Sequence, residues 1–487
     1  MIRKIISKYG LAAHLGLLAA FPIAAMPFLD ANTIGCSLLW VSLFSLLWIF
    51  SEPSIRLGER SAEARFRVLQ SILHDPVFYF FILAAVFALA RYLNSGVQLG
   101  YDVEQRTWLV KDPAATVMPS SVGDAGFLPF VATVALGVLT MGVRNALGAA
   151  GRVFCGLTAV SIAGAAGLAA GIYAGTGKIP VLLGTAHCDF LHSPYLGTAF
   201  GFFALLAIMF GVEAETRKWR AARFPFVLAV AGCSTGLVFF TPPYAACIFL
   251  AVMLIFAIFA LVYCARAGSM GGCARALVFL LMGLAVSAIL MMGLASEELQ
   301  QYKLHGLDPA VAFPAEYGAL SQSYMRISKA IWLNHPWCGA GEGAYGLQLP
   351  FIAAKSDWAL LPPHPDHALS GLLTLLSERG IVGCALLVIG LGMLLWAWGA
   401  RFVEAFAYLR NNDDADVFPF ACPPVVWVAP AVVLLGVGEL FFASSFRSIA
   451  CVFAYVVPLV LAGASFPRGS TAKVVEKTTV LALNEGK

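Results

Sequence analysis

The chain has 487 residues, of which 60% are hydrophobic and only 12% are charged, and its mean hydropathy is +0.83. Soluble domains use about 25% charged residues, so this composition excludes an ordinary soluble protein and indicates a polytopic membrane protein. The formal net charge of +4 is too small and too dispersed to indicate a nucleic-acid partner.

Apolar segments recur along the whole chain. With a window of about 20 residues per span, they predict twelve spans and a single all-α transmembrane domain over residues 1–465. The spans are expected near 11–29, 35–51, 77–95, 126–143, 153–175, 195–212, 224–241, 243–265, 276–295, 381–399, 424–442 and 445–465. The first resembles a signal peptide in composition, but the topology favours a retained helix. The polar residues 466–487 are predicted to form a disordered cytoplasmic tail.

Positive charges divide unequally between the two faces that these spans define. Of the 31 Lys and Arg residues, 21 fall on the side of both termini and 10 on the other side. By the positive-inside rule, both termini are therefore predicted to be cytoplasmic. Histidine has the opposite bias, since the outer face holds His187, His192, His305, His335, His364 and His367. Because imidazole exchanges protons near neutral pH, acid–base chemistry is expected on the outer face.

Three outer loops are large, namely 96–125, 176–194 and 296–380. The first contains enough Pro, Gly and Ser to predict an irregular cap. The third, between the ninth and tenth spans, is long enough to contain helices of its own, and loops of this length are usually functional. Cys188 and Cys338 lie in outer loops, where either a disulfide or two unrelated thiols would fit the sequence.

The long loop contains "YMRISKAIWLNHPWCGAGEGAYG" at residues 324–346. Arg326, Ile327 and Trp332 fit an amphipathic interfacial helix that ends in the turn that follows. Three glycines then alternate with other residues, at positions Gly339, Gly341 and Gly343. They permit backbone conformations closed to other residues, which predicts either close approach of a ligand or a tight loop over the membrane surface.

The loop ends in "LPPHPDHALSGLLTLLSERGIVG" at residues 361–383. Its prolines restrict the backbone around His364, Asp366 and His367, so these side chains are displayed with little freedom, as catalysis requires. A helix is predicted from Ala368 to a stop at Gly380. The histidine spacing lacks a recognisable third ligand, so a metal site is the less favoured alternative.

These segments resemble one known family. An arginine, a tryptophan six residues later, "HPWCGAGEGAYG" and a histidine followed by "LLTLLSERGIVGCALL" resemble the O-antigen ligase and O-antigen polymerase superfamily. The resemblance implies a metal-independent glycosyltransferase of the bacterial inner membrane, without a cofactor and with a periplasmic active face. Its partners would be membrane lipids, an undecaprenyl-pyrophosphate-linked glycan as donor and a hydroxyl of a glycan or of lipid A-core as acceptor.

The resemblance also implies residue roles. His367 stands eleven residues before Glu378 and corresponds best to the histidine of the family, with His364 as a second candidate. His367 is expected to be the base that activates the acceptor hydroxyl, oriented by Asp366 or His364. Three arginines at the outer boundary are expected to bind the donor pyrophosphate, namely Arg326, Arg379 and Arg447.

Two other classes of function remain open. A lipid-glycan flippase or other transporter would place ionisable groups deep in its helices and would show repeats. No internal repeat is visible, and Glu439 is interpreted as almost the only ionisable residue inside a span, so glycan transfer is preferred to transport or to a scaffold role. The choice among ligase, polymerase and protein glycosyltransferase stays open, because the same chemistry serves all three acceptors.

Overall fold

The structure is a computed structural model that is almost entirely helical in the ranges it describes. Those ranges are 2–29, 31–51, 61–93, 98–102, 107–111, 127–176, 194–216, 222–241, 243–266, 270–294, 317–358, 361, 368, 370–411, 423–442 and 449–465.

The described part of the chain contains sixteen α-helices, numbered here in chain order. They are α1 (Ile2–Ala25), α2 (Ala31–Ser51), α3 (Ser61–Leu73), α4 (Pro76–Leu93), α5 (Phe127–Met141), α6 (Ala149–Thr176), α7 (Pro194–Thr216), α8 (Arg223–Phe240), α9 (Pro243–Arg266), α10 (Met270–Leu294), α11 (Tyr317–Asn334), α12 (Tyr345–Ile352), α13 (Lys355–Trp358), α14 (Gly371–Asn411), α15 (Val428–Phe442) and α16 (Ile449–Ser465). A π-helical turn, Gly142–Ala146, continues α5, and a 3-10 turn, Pro424–Trp427, precedes α15.

The prediction of a helical membrane protein is confirmed. Each predicted span overlaps one of the described helices. Seven of these, α2, α4 to α8 and α14, are long and apolar enough to cross a membrane, and shorter apolar stretches lie on α1, α9, α10, α15 and α16. Large apolar side chains such as Leu83, Ile289 and Trp396 are more than half exposed, as expected where helices face lipid rather than water.

The centre of the bundle is α7, whose apolar stretch from Leu196 to Glu213 is buried along its whole length. Close contacts beside it depend on small residues of α6 and α8. A Cβ atom on Gly164 would overlap the backbone of Ala229, and one on Gly167 would overlap the carbonyl of Gly232. Helices α6 and α8 therefore pack backbone against backbone, in the way that small residues allow in membranes.

Ion pairs join helix ends that the predicted topology puts on the inner face. Arg144, in the π-helical turn, pairs with Asp75 at 2.8 Å, and Glu215 of α7 pairs with Arg223 at 2.8 Å and with Arg275 at 3.2 Å. Asp75 also caps α4, because its Oδ1 accepts the N–H of Val77 at 3.1 Å. Each group of ion pairs therefore holds together the ends of helices that are distant in sequence or consecutive along the chain.

The first large loop departs from its prediction. Residues Gln98–Asp102 (β1) and Thr107–Lys111 (β2) form an antiparallel hairpin in which Gln98 is opposite Lys111 and Tyr101 is opposite Trp108. The prediction of an irregular cap is wrong for these ten residues. The Pro, Gly and Ser content of the surrounding sequence indicated an irregular loop, but β1 and β2 pair with each other within it.

The long loop contains a small hydrophobic core of its own. Helix α11 packs with α12 through buried side chains that include Ile327, Ile331 and Tyr345. Leu361 and Ala368 are buried in the same cluster. The predicted amphipathic helix is confirmed, and its apolar side covers this second core beside the start of α14.

Candidate functional site

The glycine-rich turn of the long loop has the backbone that its sequence predicts. Gly339, Gly341 and Gly343 have φ angles of 70°, 107° and 75°. These positive values are strained for residues with a Cβ atom. The turn is thus fixed in a conformation that depends on glycine at alternate positions.

Backbone hydrogen bonds attach this turn to α14 near Gly380, where that helix is interrupted. Ala340 N donates to Ser377 O at 2.8 Å, and Gly341 N donates to Glu378 O at 3.1 Å. In the other direction, Ile381 N donates to Pro336 O at 3.0 Å, and Val382 N donates to Trp337 O at 2.9 Å. The segments 336–341 and 377–382 therefore form one rigid unit, because their backbone polar groups satisfy each other.

Gly380 breaks α14 at the predicted position. Its φ of 63° and ψ of −165° are not helical. A Cβ atom there would overlap Gly339 N and Trp337 O, and one on Gly339 would overlap the carbonyl of Glu378. Glycine is required on both sides of this contact. The helix predicted from Ala368 begins slightly later, at Gly371, while Ala368 is buried outside it.

Arg91, in the last turn of α4, lies against this unit. Its side chain is buried, with 2% relative exposure, and its Nη2 donates to Glu378 O at 2.6 Å. The guanidinium carbon lies 5.6 Å from the centre of the Phe87 ring. The other two nitrogens, Nε and Nη1, have no hydrogen-bond partner within the described part of the chain. Leaving such donors unsatisfied is costly, so this is the position in the cluster most in need of an acceptor.

Acidic and basic side chains surround Arg91. Arg379 Nε pairs with Glu342 Oε1 at 2.8 Å, and Gly343 N donates to Glu378 Oε1 at 3.1 Å. Burial raises the pKa of the Cys338 thiol against the opposing effect of Arg91, and burial lowers the pKa of His335. Near neutral pH the thiol is therefore protonated and the His335 imidazole is neutral. The fixed charges of this site are carboxylates and guanidinium groups.

Arg326 lies on α11 and forms an ion pair with Asp357 of α13. Burial by itself raises the pKa of Asp357, but the N–H of Ala354, the hydroxyl of Ser323 and the charge of Arg326 outweigh it and lower the pKa. Arg326, with a side chain 57% exposed, thus has a carboxylate partner in this structure, as Arg379 has. Neither pairing tests the predicted role in pyrophosphate binding.

The other predicted site residues lie outside the described residues, and so does Cys188. They are His364, Asp366, His367 and Arg447. The residues on either side, Leu361 and Ala368, are described and buried in the second core. Of the predicted set, the structure therefore joins Arg379 with the three glycines in one unit and places Arg326 on the neighbouring helix α11.

Arg91 was not predicted from the sequence, and the interpretation of Glu439 as almost the only ionisable residue inside a span was wrong. Glu439, whose Oε1 accepts a hydrogen bond from Thr198 at 3.2 Å, is not nearly alone, because Arg91, Arg152 and Glu213 are also buried in helices. From the sequence, Arg91 was counted only among the ten positive charges on the outer side. The signal that could have found it is the rule that an ionisable residue inside a span has a function by default.

Comparisons with known proteins give no assignment. No family model matches the chain, and no curated protein sequence matches it.

The arrangement at the end of α4 offers guanidinium groups to an anion, with the carboxylates of Glu342 and Glu378 beside them. It combines a rigid backbone turn, a buried guanidinium group with two unsatisfied nitrogens and a second guanidinium group at Arg379. Arginine binds phosphate oxygens through paired N–H groups, and such bonds are stronger where water is excluded.

Proposed function

We propose that this chain is a multi-pass glycosyltransferase of the bacterial inner membrane, with twelve spans and both termini in the cytoplasm. It transfers a glycan from an undecaprenyl-pyrophosphate carrier to an acceptor hydroxyl on the periplasmic side. The acceptor is a growing glycan or lipid A-core. This is the reaction of the O-antigen ligase and polymerase type that the long-loop sequence resembles.

The observation that carries the proposal is the buried Arg91 guanidinium group with two unsatisfied nitrogens beside the glycine-rich turn. An activated lipid donor needs a site that stabilises negative charge as the pyrophosphate leaves. Preorganised donors in a site without water supply this stabilisation and contribute about 3 kcal/mol each. Arg379 lies close enough to affect the same charge, because it interacts electrostatically with Arg91.

The proposed reaction has two balanced changes. The oxygen of the acceptor hydroxyl forms a bond to the anomeric carbon, while the bond from that carbon to the carrier pyrophosphate breaks. The hydroxyl proton passes to His367, and the electron pair of the broken bond leaves with the pyrophosphate. A positioned neutral histidine contributes a factor of roughly 100 to 10,000 to such a step.

The predicted topology is compatible with these roles. Alternating spans put the end of α4 and the start of the tenth span on the same outer face, and Arg91 does contact Glu378. The ends of α4, α5 and α14 that hold Pro76, Arg144 and Arg401 fall on the inner face in the same scheme and line one cavity. The long loop then belongs to the face where the lipid-linked glycan is expected.

The proposal is tested in a bacterial host from which the gene has been deleted, by restoring the wild-type protein or a variant. His367→Ala is expected to abolish the surface glycan product, while the amount of protein in the membrane stays the same. His305→Ala, a histidine change in the same loop outside the proposed site, is the matched control and is expected to restore the product. Unchanged glycan in His367→Ala would refute the proposed base.

The glycan intermediates that accumulate without active protein distinguish the possible acceptors. Free lipid A-core with intact carrier-linked chains would indicate a ligase, whereas attached glycan of a single repeat would indicate a polymerase. Accumulation of carrier-linked glycan on the cytoplasmic side would instead support the transporter class and count against glycan transfer.

A further inference from the structure

A second polar cluster lies at the opposite end of α4 and α14. It surrounds a cavity of about 390 Å³, and its polar lining residues are Ser71, His74, Asp75, Arg144, Asn145 and Arg401. Pro76 is 15 residues before Arg91, which is about 22 Å along α4, and Arg401 is 21 residues after Gly380, which is about 32 Å along α14. The two clusters are thus separated by about the thickness of a membrane.

One wall of the cavity is built by side-chain contacts. Arg144 donates two hydrogen bonds to Asp75, from Nε at 2.8 Å and from Nη2 at 3.2 Å. The hydroxyl of Ser71 donates to Asn145 Oδ1 at 2.7 Å. Arg144 and Asn145 both lie in the π-helical turn, a distortion of the helix that recurs at functional sites. The wall is therefore held in place without using Arg401.

The cavity has more positive than negative charge. Among its described lining residues the one carboxylate, Asp75, is paired with Arg144. Arg401 is only partly exposed and makes no hydrogen bond or ion pair with any of the described residues, although Glu404 lies one turn further along α14 and attracts it electrostatically. A guanidinium group with free donors beside a second arginine is an arrangement that binds the oxygens of a phosphate group.

The position of the cavity favours an anion at the membrane surface. Leu73 and Tyr79, on either side of the start of α4, are 44% and 55% exposed, and the Tyr79 hydroxyl donates to Leu73 O at 2.9 Å. An apolar exposed surface next to an arginine-lined cavity matches a lipid with an anionic headgroup, in which chains and phosphate are joined. The cavity is also open to phosphate in solution.

We propose that this cavity is a binding site for a phosphate-bearing group, supplied either by the headgroup of an anionic phospholipid or by free phosphate. Arg401 and Arg144 hold the phosphate oxygens, and Asn145 and His74 line the same cavity. The site is at the end of the bundle away from the glycine-rich turn. It does not depend on the proposed glycan transfer.

The test measures binding of two probes to the purified full-length protein in detergent. Native mass spectrometry counts adducts of phosphatidylglycerol against phosphatidylcholine, and thermal unfolding is compared in sodium phosphate and in sodium chloride of equal ionic strength. Arg401→Gln is expected to lower the retention of phosphatidylglycerol, or the stabilising effect of phosphate, at least fivefold. Loss of the lipid effect identifies a headgroup site, and loss of the phosphate effect alone identifies a site for free phosphate.

Arg275→Gln is the matched control. It removes an arginine from the same predicted membrane face, while Glu215 keeps its ion pair with Arg223. The control is expected to behave as wild type with both probes. Equal losses in the control and in Arg401→Gln would overturn the proposal, and so would wild-type protein that retains neither probe. Asn145→Leu, which replaces a polar lining residue without changing charge, is expected to reduce binding of the same probe as Arg401→Gln.

Discussion

The two polar clusters at the ends of α4 and α14 are built in opposite ways. At the end near the glycine-rich turn, backbone hydrogen bonds hold the structure, and the arginine side chain is buried with unsatisfied nitrogens. At the other end, the ion pair of Arg144 and Asp75 holds the structure, and Arg401 faces an open cavity. Water can solvate Arg401 but cannot reach Arg91.

This difference predicts how much free energy each cluster gains when it binds an anion. A buried guanidinium group with two unsatisfied nitrogens costs free energy until an anion accepts their hydrogen bonds, so Arg91 should contribute more to ligand binding than to stability of the empty protein. A solvated arginine such as Arg401 loses hydration water when it binds an anion, so its net gain in binding free energy is smaller than that of a buried arginine. The first cluster therefore has the properties of a binding site for a specific anion, and the second has those of an exchangeable surface site.

Replacement of Arg91 is expected to give the largest effect. Arg91→Leu should weaken the retention of undecaprenyl pyrophosphate by about 30-fold, which corresponds to about 2 kcal/mol, because both unsatisfied nitrogens are lost. Binding is measured by native mass spectrometry over a range of lipid concentrations. Arg91→Lys keeps the charge without the paired donors and should lie between Arg91→Leu and wild type.

The stability of the empty protein provides the control for Arg91. If the arginine serves ligand binding, Arg91→Leu leaves the free energy of unfolding in mixed micelles unchanged or higher, because a buried charge has been removed. A large loss of stability together with unchanged lipid binding would assign Arg91 a structural role and contradict the comparison.

Gly380→Ala should have the next largest effect. The positive φ and the overlap with Gly339 N are expected to reduce the free energy of unfolding by about 2 kcal/mol. Gly392→Ala, in the same helix with no atom near the new Cβ, is the matched control and should raise it by about 0.5 to 1 kcal/mol. Equal effects of the two changes, measured by denaturant titration in micelles, would show that the unit around Gly380 is not rigid.

At the opposite end, Asp75→Asn removes the ion pair with Arg144 but keeps the cap of α4. Asparagine can still accept the Val77 N–H but cannot neutralise Arg144, so a loss of about 1 to 2 kcal/mol in the free energy of unfolding is expected. Asp75→Ala removes both interactions and should cost more. If Asp75→Asn were as stable as wild type, this end of the bundle would not depend on its ion pair.

The smallest effect is expected from the pH dependence of the Arg326 and Asp357 pair. The pKa of Asp357 is lowered in the folded protein, so its stabilising contribution is present above its ordinary value, roughly 3.9, and is lost as the pH falls through the lowered value. Because Arg326 is mostly exposed, the contribution should stay below about 1 kcal/mol. Wild type should therefore lose slightly more stability than Asp357→Asn when melting is followed from pH 6 to pH 3, and identical curves would contradict this.

The helices and the glycine positions could be predicted from the sequence because their causes are local. Long apolar segments require helical backbone in a membrane, and the alternating glycines and Gly380 mark conformations that other residues avoid. The pairing of Arg326 with Asp357, 31 positions later, and the contact of Arg91 with Glu378 depend on how distant segments pack. No periodicity in the sequence indicates such contacts, so Arg91 was not recognised as a candidate site residue.

The hairpin of β1 and β2 was missed for a related reason. Each strand has only five residues, and their pairing is decided by the partner strand rather than by local composition. Prediction from the sequence therefore succeeded where one segment determines its own structure and failed where two segments determine it together.

The most direct test is the initial rate of glycan transfer by the purified protein in liposomes, supplied with undecaprenyl-pyrophosphate-linked glycan and a glycan or lipid A-core acceptor. We expect wild type to form a new glycosidic bond and Arg91→Leu to form it at a rate lower by about 100-fold to 1,000-fold. Equal rates in the two proteins, or movement of the donor across the bilayer without a new bond, would contradict the account.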